Sequence, residues 1–150
     1  MNKLVLSAIL GFVTSISAFS QWNVGAHWGY MQGAGIGYKL DNVISFEAKL
    51  LVETSEYHGW GVSPVAYFNF FEKENYDVYA GLSVTYFMAS RDFEIGKTKG
   101  DCQMIGLPVG ARFRAIKAVP NLSFHIEIIP TCSNWYGITF QPNFGVRCFF

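Results

Sequence analysis

The feature that most constrains this chain is a two-residue alternation of polarity that runs through most of it beyond residue 21. In the last segment Ile138, Phe140, Pro142, Phe144, Val146, Cys148 and Phe150 fall on one face. Thr139, Gln141, Asn143, Gly145, Arg147 and Phe149 fall on the other. Successive side chains of a β-strand point to opposite faces, so this is a strand with one apolar side. The split recurs upstream. Val78, Ala80, Leu82 and Val84 oppose Asp77, Tyr79, Gly81 and Ser83, and Phe124, Ile126 and Ile128 oppose Ser123, His125 and Glu127. Helical periodicity is nearly absent. The pattern predicts eight strands over 22–30, 33–40, 43–53, 61–71, 76–89, 102–116, 122–131 and 137–150. Their lengths bracket the roughly 9–11 residues that a tilted strand needs to cross a bilayer.

Alternation alone does not say which face is outside, because a soluble barrel also has one apolar and one polar side per strand. The polar side here is mostly Gly, Ser, Asn, Thr and Tyr, which suits a narrow lumen filled by side chains. Only 15% of the residues are charged, against roughly 25% in ordinary soluble domains. The inward charges nearly balance, as burial requires. Trp28, Tyr30, Trp60, Tyr86, Trp135 and Tyr136 gather toward one end of the strands, and Tyr38, Phe70, Tyr76 and Phe150 toward the other. Two aromatic girdles are the pattern of a membrane barrel. The connections also alternate: short polar turns at 41–42, 72–75 and 117–121, and longer segments at 54–60, 90–101 and 132–136. Short periplasmic turns and longer external loops produce that alternation. The first outer connection, around Met31-Gln32, is the exception. The fold expected is all-β, an eight-stranded antiparallel up-and-down transmembrane barrel with an apolar outside and a polar inside.

The first twenty residues form a separate unit. Met1-Asn2-Lys3 gives a positive start, Leu4 to Val13 an apolar run, and Ala18-Phe19-Ser20 small residues before a cut at Gln21. That is the layout of a secretory signal peptide, too short for a membrane helix. The domains expected are therefore 1–20 as signal peptide and 21–150 as barrel, exported to a bacterial outer membrane.

With the signal peptide, the alternating strands and the C-terminal Phe144, Val146, Cys148 and Phe150 in place, the mature chain resembles small eight-stranded outer-membrane barrels. It is similar to the outer-membrane protein X type and the outer-membrane protein A transmembrane domain. The small-residue cut before Gln resembles exported proteins of the Bacteroidota. The resemblance implies that Phe144, Val146, Cys148 and Phe150 act as the signal read by the outer-membrane assembly machinery. It implies outer-membrane lipid and lipopolysaccharide as surroundings, and a monomer. No basic excess provides a footprint for nucleic acid, and no cofactor is expected.

The candidate site is a set of inward charges: Glu47, Lys49, Arg112, Arg114, Glu127 and Arg147. Counting from the 117–121 turn places Arg112 almost opposite Glu127, so that Glu127→Ala would leave Arg112 unpaired. The set reads as a polar core that pins the strands, with a gate in a narrow pore as the second reading. Ser123, His125 and Glu127 face inward on one strand, but lie too far apart along it for a direct catalytic relay, and no nucleophile elbow is present. Cys102 and Cys132 fall at the outer ends of adjacent strands, where a disulfide is possible. Cys148 should face lipid and stay unbonded. His27 and His58 stand alone in the sequence, with no spacing of metal ligands. Gly33, Gly35 and Gly37 are not a dinucleotide fingerprint, since no helix follows, and fit close packing inside the barrel. The function expected is structural or surface-interacting, carried by the external loops and non-enzymatic. A narrow porin-like channel is the alternative and a lipid-modifying enzyme the second alternative.

Overall fold

The computed structural model describes residues 22–53, 58–73, 75–93, 96–114, 121–134 and 137–150. Segment 1–20, expected as a signal peptide, and Gln21, Trp135 and Tyr136 therefore lie outside the described residues. The described residues form nine strands: β1 (Trp22–Gly29), β2 (Gln32–Lys39), β3 (Ile44–Glu53), β4 (His58–Glu72), β5 (Tyr76–Phe93), β6 (Gly96–Gly106), β7 (Val109–Phe113), β8 (Leu122–Ser133) and β9 (Gly137–Phe149). All neighbours pair antiparallel, and the described residues form no helix.

Strands β6 and β7 are two halves of one stave. Both pair with β5 on one side and β8 on the other. Pro108 separates them because it has no N–H to give to the ladder. Hydrogen bonds continue across the gap, from the Gly81 N–H to the Pro108 carbonyl at 2.7 Å and from the Leu107 N–H to the Pro130 carbonyl at 2.9 Å. Eight staves result, and β1 pairs with β9 to close them. The Phe150 N–H donates to the Trp22 carbonyl at 2.9 Å, so the first and last strands begin and end at one rim. Closure leaves the barrel without an open sheet edge, the condition for strands to sit in hydrocarbon.

The polarity is that of an inverted barrel. Phe144, Val84 and Ile126 are 56%, 52% and 60% exposed, whereas Arg112 and Glu127 are 4% and 1% exposed. Leu51, Val65 and Phe87 are buried apolar residues among the inward-facing polar ones. At the inner rim, the Asp41 carboxylate accepts from the Val43 and Ile44 N–H groups at 2.7 and 2.6 Å, forming the side-chain-stapled turn that joins β2 to β3.

Segment 90–101 departs from the expected loop. β5 runs to Phe93 and β6 starts at Gly96, with Ser90 opposite Lys99 and Phe93 opposite Gly96. Most of that segment is a β-hairpin rising beyond the neighbouring staves. Here the backbone stays extended and paired although the sequence loses the two-residue period. Likewise β4 begins at His58, inside the expected 54–60 loop, and β8 continues to Ser133.

Candidate functional site

The inward polar residues converge on Arg147 of β9. Its Nη2 donates to Glu47 Oε2 at 2.7 Å and lies 3.5 Å from Glu127 Oε1. The Tyr67 hydroxyl lies between Glu47 Oε2 and Glu127 Oε1, at 3.1 and 3.2 Å, and can donate its one hydrogen to either, while the Tyr79 hydroxyl donates to Glu127 Oε1 at 2.8 Å. Lys49 Nζ reaches Glu127 Oε2 at 3.4 Å and Glu47 Oε2 at 3.8 Å. Asn143 Nδ2 donates to Glu127 Oε2 at 2.9 Å. The Arg147 guanidinium also lies 5.1 Å from the centre of the Tyr67 ring, within cation–π range. Two carboxylates face two cations, so the cluster is formally neutral, as the low dielectric of a packed lumen demands.

The strands position these groups by alternation, and glycines make the room. Gly35 lies on β2, beside β3, where an added Cβ would come within 2.6 Å of Glu47 Oε1. At Gly145 an added Cβ would come within 2.5 Å of His125 Cε1. The inward glycines of the sequence are thus the floor over which the network's side chains lie.

His27 joins the same cluster. Its Nε2 lies 2.8 Å from Glu47 Oε1 and its Nδ1 lies 3.0 Å from His125 Nε2. Neither His27 nor the hydroxyls of Tyr67 and Tyr79 were expected in the network. Tyr67 and Tyr79 were legible as inward residues, but their meeting at Glu127 depends on distances across the lumen. The side chain of His58 is outside what the structure describes.

A second cluster closes the inner mouth. Arg112 Nη1 lies 3.5 Å from Asp77 Oδ2, and Arg114 Nη2 lies 3.4 Å from the same oxygen and 3.2 Å from Glu72 Oε1. Lys39 Nζ donates to Glu72 Oε1 at 2.9 Å. Burial alone would raise the Glu72 carboxyl, but hydrogen bonds from Lys39 and Arg114 outweigh it and hold Glu72 below the ordinary value of 4.5.

This corrects the expected pairing of Arg112 with Glu127. Gly110 is the residue opposite Glu127, and Arg112 stands opposite His125. Glu47, Lys49, Glu127 and Arg147 come together, while Arg112 and Arg114 belong to the inner mouth. The disulfide that the sequence left possible between Cys102 and Cys132 is absent. Cys102 is buried inside the lumen and Cys132 is exposed on the outer face, so the two side chains leave the wall in opposite directions. Cys148 is half-buried on the outward face and forms no disulfide.

The network separates two spaces. Outward of it lies a cavity of about 50 Å³ that touches His27, Lys49, Ser63, Thr85 and Asn143, and reaches Tyr30 and Met31. A smaller one of about 10 Å³ touches Glu47, Tyr67, Arg112 and Arg147. These have room for a few water molecules and for roughly one, respectively. Ser123 Oγ contacts the Arg147 carbonyl at 3.5 Å, and His125 Nε2 faces His27. Ser123, His125 and Glu127 are therefore not assembled as a nucleophilic relay, whose members must be within hydrogen-bond reach of one another.

On the outer face, Trp28, Trp60 and Tyr86 are exposed near the outer end, with Trp28 stacked 6.2 Å from Phe144, while Tyr30, also exposed, borders the cavity at that end. The Tyr86 hydroxyl donates to Asp101. At the inner end Phe70 is exposed, Tyr38 lies 5.0 Å from Trp22, and Tyr76 lies 5.7 Å from Phe71. Phe144 and Phe150 are exposed and Val146 and Cys148 half-buried, all on the outward face of β9.

No family model and no curated protein matches the chain. Solved structures do. The N-terminal β-barrel domain of Pseudomonas aeruginosa OprF superposes with a TM-score of 0.75 at 14% identity, over 87% of this chain and 98% of that one. Neisserial surface protein A (NspA) superposes with a TM-score of 0.57 at 13% identity, over 87% and 95%. At these identities the likeness is one of fold, and it agrees with the register described above: the chain folds as a closed, eight-stranded, all-antiparallel β-barrel of the type seen in those two proteins.

Proposed function

We propose that this chain is a bacterial outer-membrane barrel with a structural or surface-interaction role, exported by removal of residues 1–20 and non-enzymatic. The observation that carries this reading is the combination of an exposed apolar outer face with a lumen closed by a neutral ionic network. An exposed apolar band of this extent is costly in water and favourable in lipid. Its partners are then outer-membrane lipid and lipopolysaccharide, with the assembly machinery reading Phe144 to Phe150 during insertion. The molecule works as a monomer without nucleic acid. The working surface is the outer end, above all the β5–β6 hairpin. One of the similar barrels carries the word surface in its name, which accords with this reading. A second reading, a narrow channel for small solutes, draws on the two cavities on either side of the network. Planar-bilayer recording separates them. The refolded protein should give no steady conductance steps, and regular single-channel steps would overturn the structural reading.

A further inference from the structure

We propose that Met31, Cys102 and Met104 form a binding site for a soft monovalent cation, Cu(I) or Ag(I), at the outer end of the lumen. Beyond residue 21 the sequence has three methionines and three cysteines, and three of these six residues pack together at this one place. Cys102 and Met104 are two apart on the inward face of β6, both buried, packed with Phe87 of β5, which stands opposite Cys102. Met31, in the turn between β1 and β2, packs against the same cluster from another part of the rim. The Met104 sulfur is turned to the lumen, since Gln141 Nε2 lies 3.9 Å from it. Met31 and Met104 also line the outer cavity, which gives an ion a route to them.

The ligand set selects the ion. Thiolate and thioether sulfur prefer Cu(I) among biological metals. Binding breaks the Cys102 S–H bond, releases that proton to solvent and forms a metal–sulfur bond. A monovalent ion on one thiolate and two neutral thioethers is uncharged overall, so the apolar cluster takes in no net charge. A divalent ion would leave a buried positive charge, which that environment disfavours. Among the described side chains, the imidazoles of His27 and His125 are engaged deeper down, with Glu47 and with each other.

The test uses refolded protein carrying Cys132→Ser and Cys148→Ser, both on the outward face, so that Cys102 is the only thiol. Cu(I) is titrated anaerobically against a chromogenic Cu(I) chelator, and Ag(I) is followed by calorimetry. The protein should withdraw Cu(I) from the chelator and develop thiolate-to-copper absorption. Cys102→Ser should abolish this. Met31→Leu and Met104→Leu keep the packed volume and the barrel's heat-modifiable gel mobility, yet should each weaken affinity about tenfold. The proposal is overturned if the chelator keeps the copper, if the two leucine variants bind as tightly as their parent, or if Zn(II) displaces Cu(I).

Discussion

Glu127 is the residue on which most of the lumen turns. It accepts from Tyr67, Tyr79 and Asn143 and faces both Lys49 and Arg147. Glu127→Ala leaves two buried cations to share Glu47, and should cost ~3–5 kcal/mol. Urea unfolding in detergent measures this, and an unchanged midpoint would refute it. Arg112 keeps Asp77 in that variant, so Asp77→Ala is the change that isolates Arg112. The sequence led to a different partner because counting from a turn slips easily by two residues. A slip of two preserves which face a side chain occupies and changes only whom it meets. Inward placement of Glu47, Lys49, Glu127 and Arg147 was therefore legible, and their pairing was not. The cysteines show the reverse case. Cys102 shares parity with inward Gly106 and Arg112, and Cys132 with outward Phe124 and Ile126, so their separation was readable without any register.

Glu72 carries the pH dependence that belongs to a single side chain at the inner rim. Its folded-state carboxyl lies below the ordinary 4.5, held by Lys39 and Arg114 against the effect of burial. A depressed acid contributes stability above its unfolded value, and that contribution fades as pH falls through the folded value. Between wild type and Glu72→Gln, the stability difference should be ~0.5–1 kcal/mol at neutral pH and should fade as the medium is acidified through the depressed folded-state value, below the ordinary 4.5. A difference that persists in acid would contradict the assignment.

At the scale of elements, the strands were legible wherever one side met lipid and the other met the lumen. Segments β1 to β3 and β9 differ from the expected ranges by a residue or so at their ends. The β5–β6 hairpin was missed because nothing outside the apolar band enforces alternation. The Pro108 interruption was hidden inside an otherwise regular alternating run. The hairpin should be separable from the barrel. Replacing residues 91–98 by a two-residue Asn-Gly turn removes only pairs between β5 and β6, since β4 first meets β5 at Ser90 and β8 meets β6 only from Met104. The shortened protein should keep its thermal unfolding temperature within a few degrees while losing surface attachment in a cell-binding assay. Loss of the folded gel form would show that the hairpin is part of the barrel's stability instead.

For the whole molecule, inversion of polarity is the property from which the rest follows. With the apolar side chains turned outward, the polar groups must find partners inside, and the lumen fills with a network that involves six strands. The absence of steady conductance expected for the native protein is a property of that network as a unit, since no single residue spans the lumen. The seam between β1 and β9 has its own consequence. Those strands are the farthest apart in sequence, yet their pairing, from Asn23 with Phe149 to Gly29 with Asn143, is what turns a ribbon into a ring. A chain lacking its final strand would present two unzipped margins at once, so closure waits on the arrival of the last segment and has no stable halfway house.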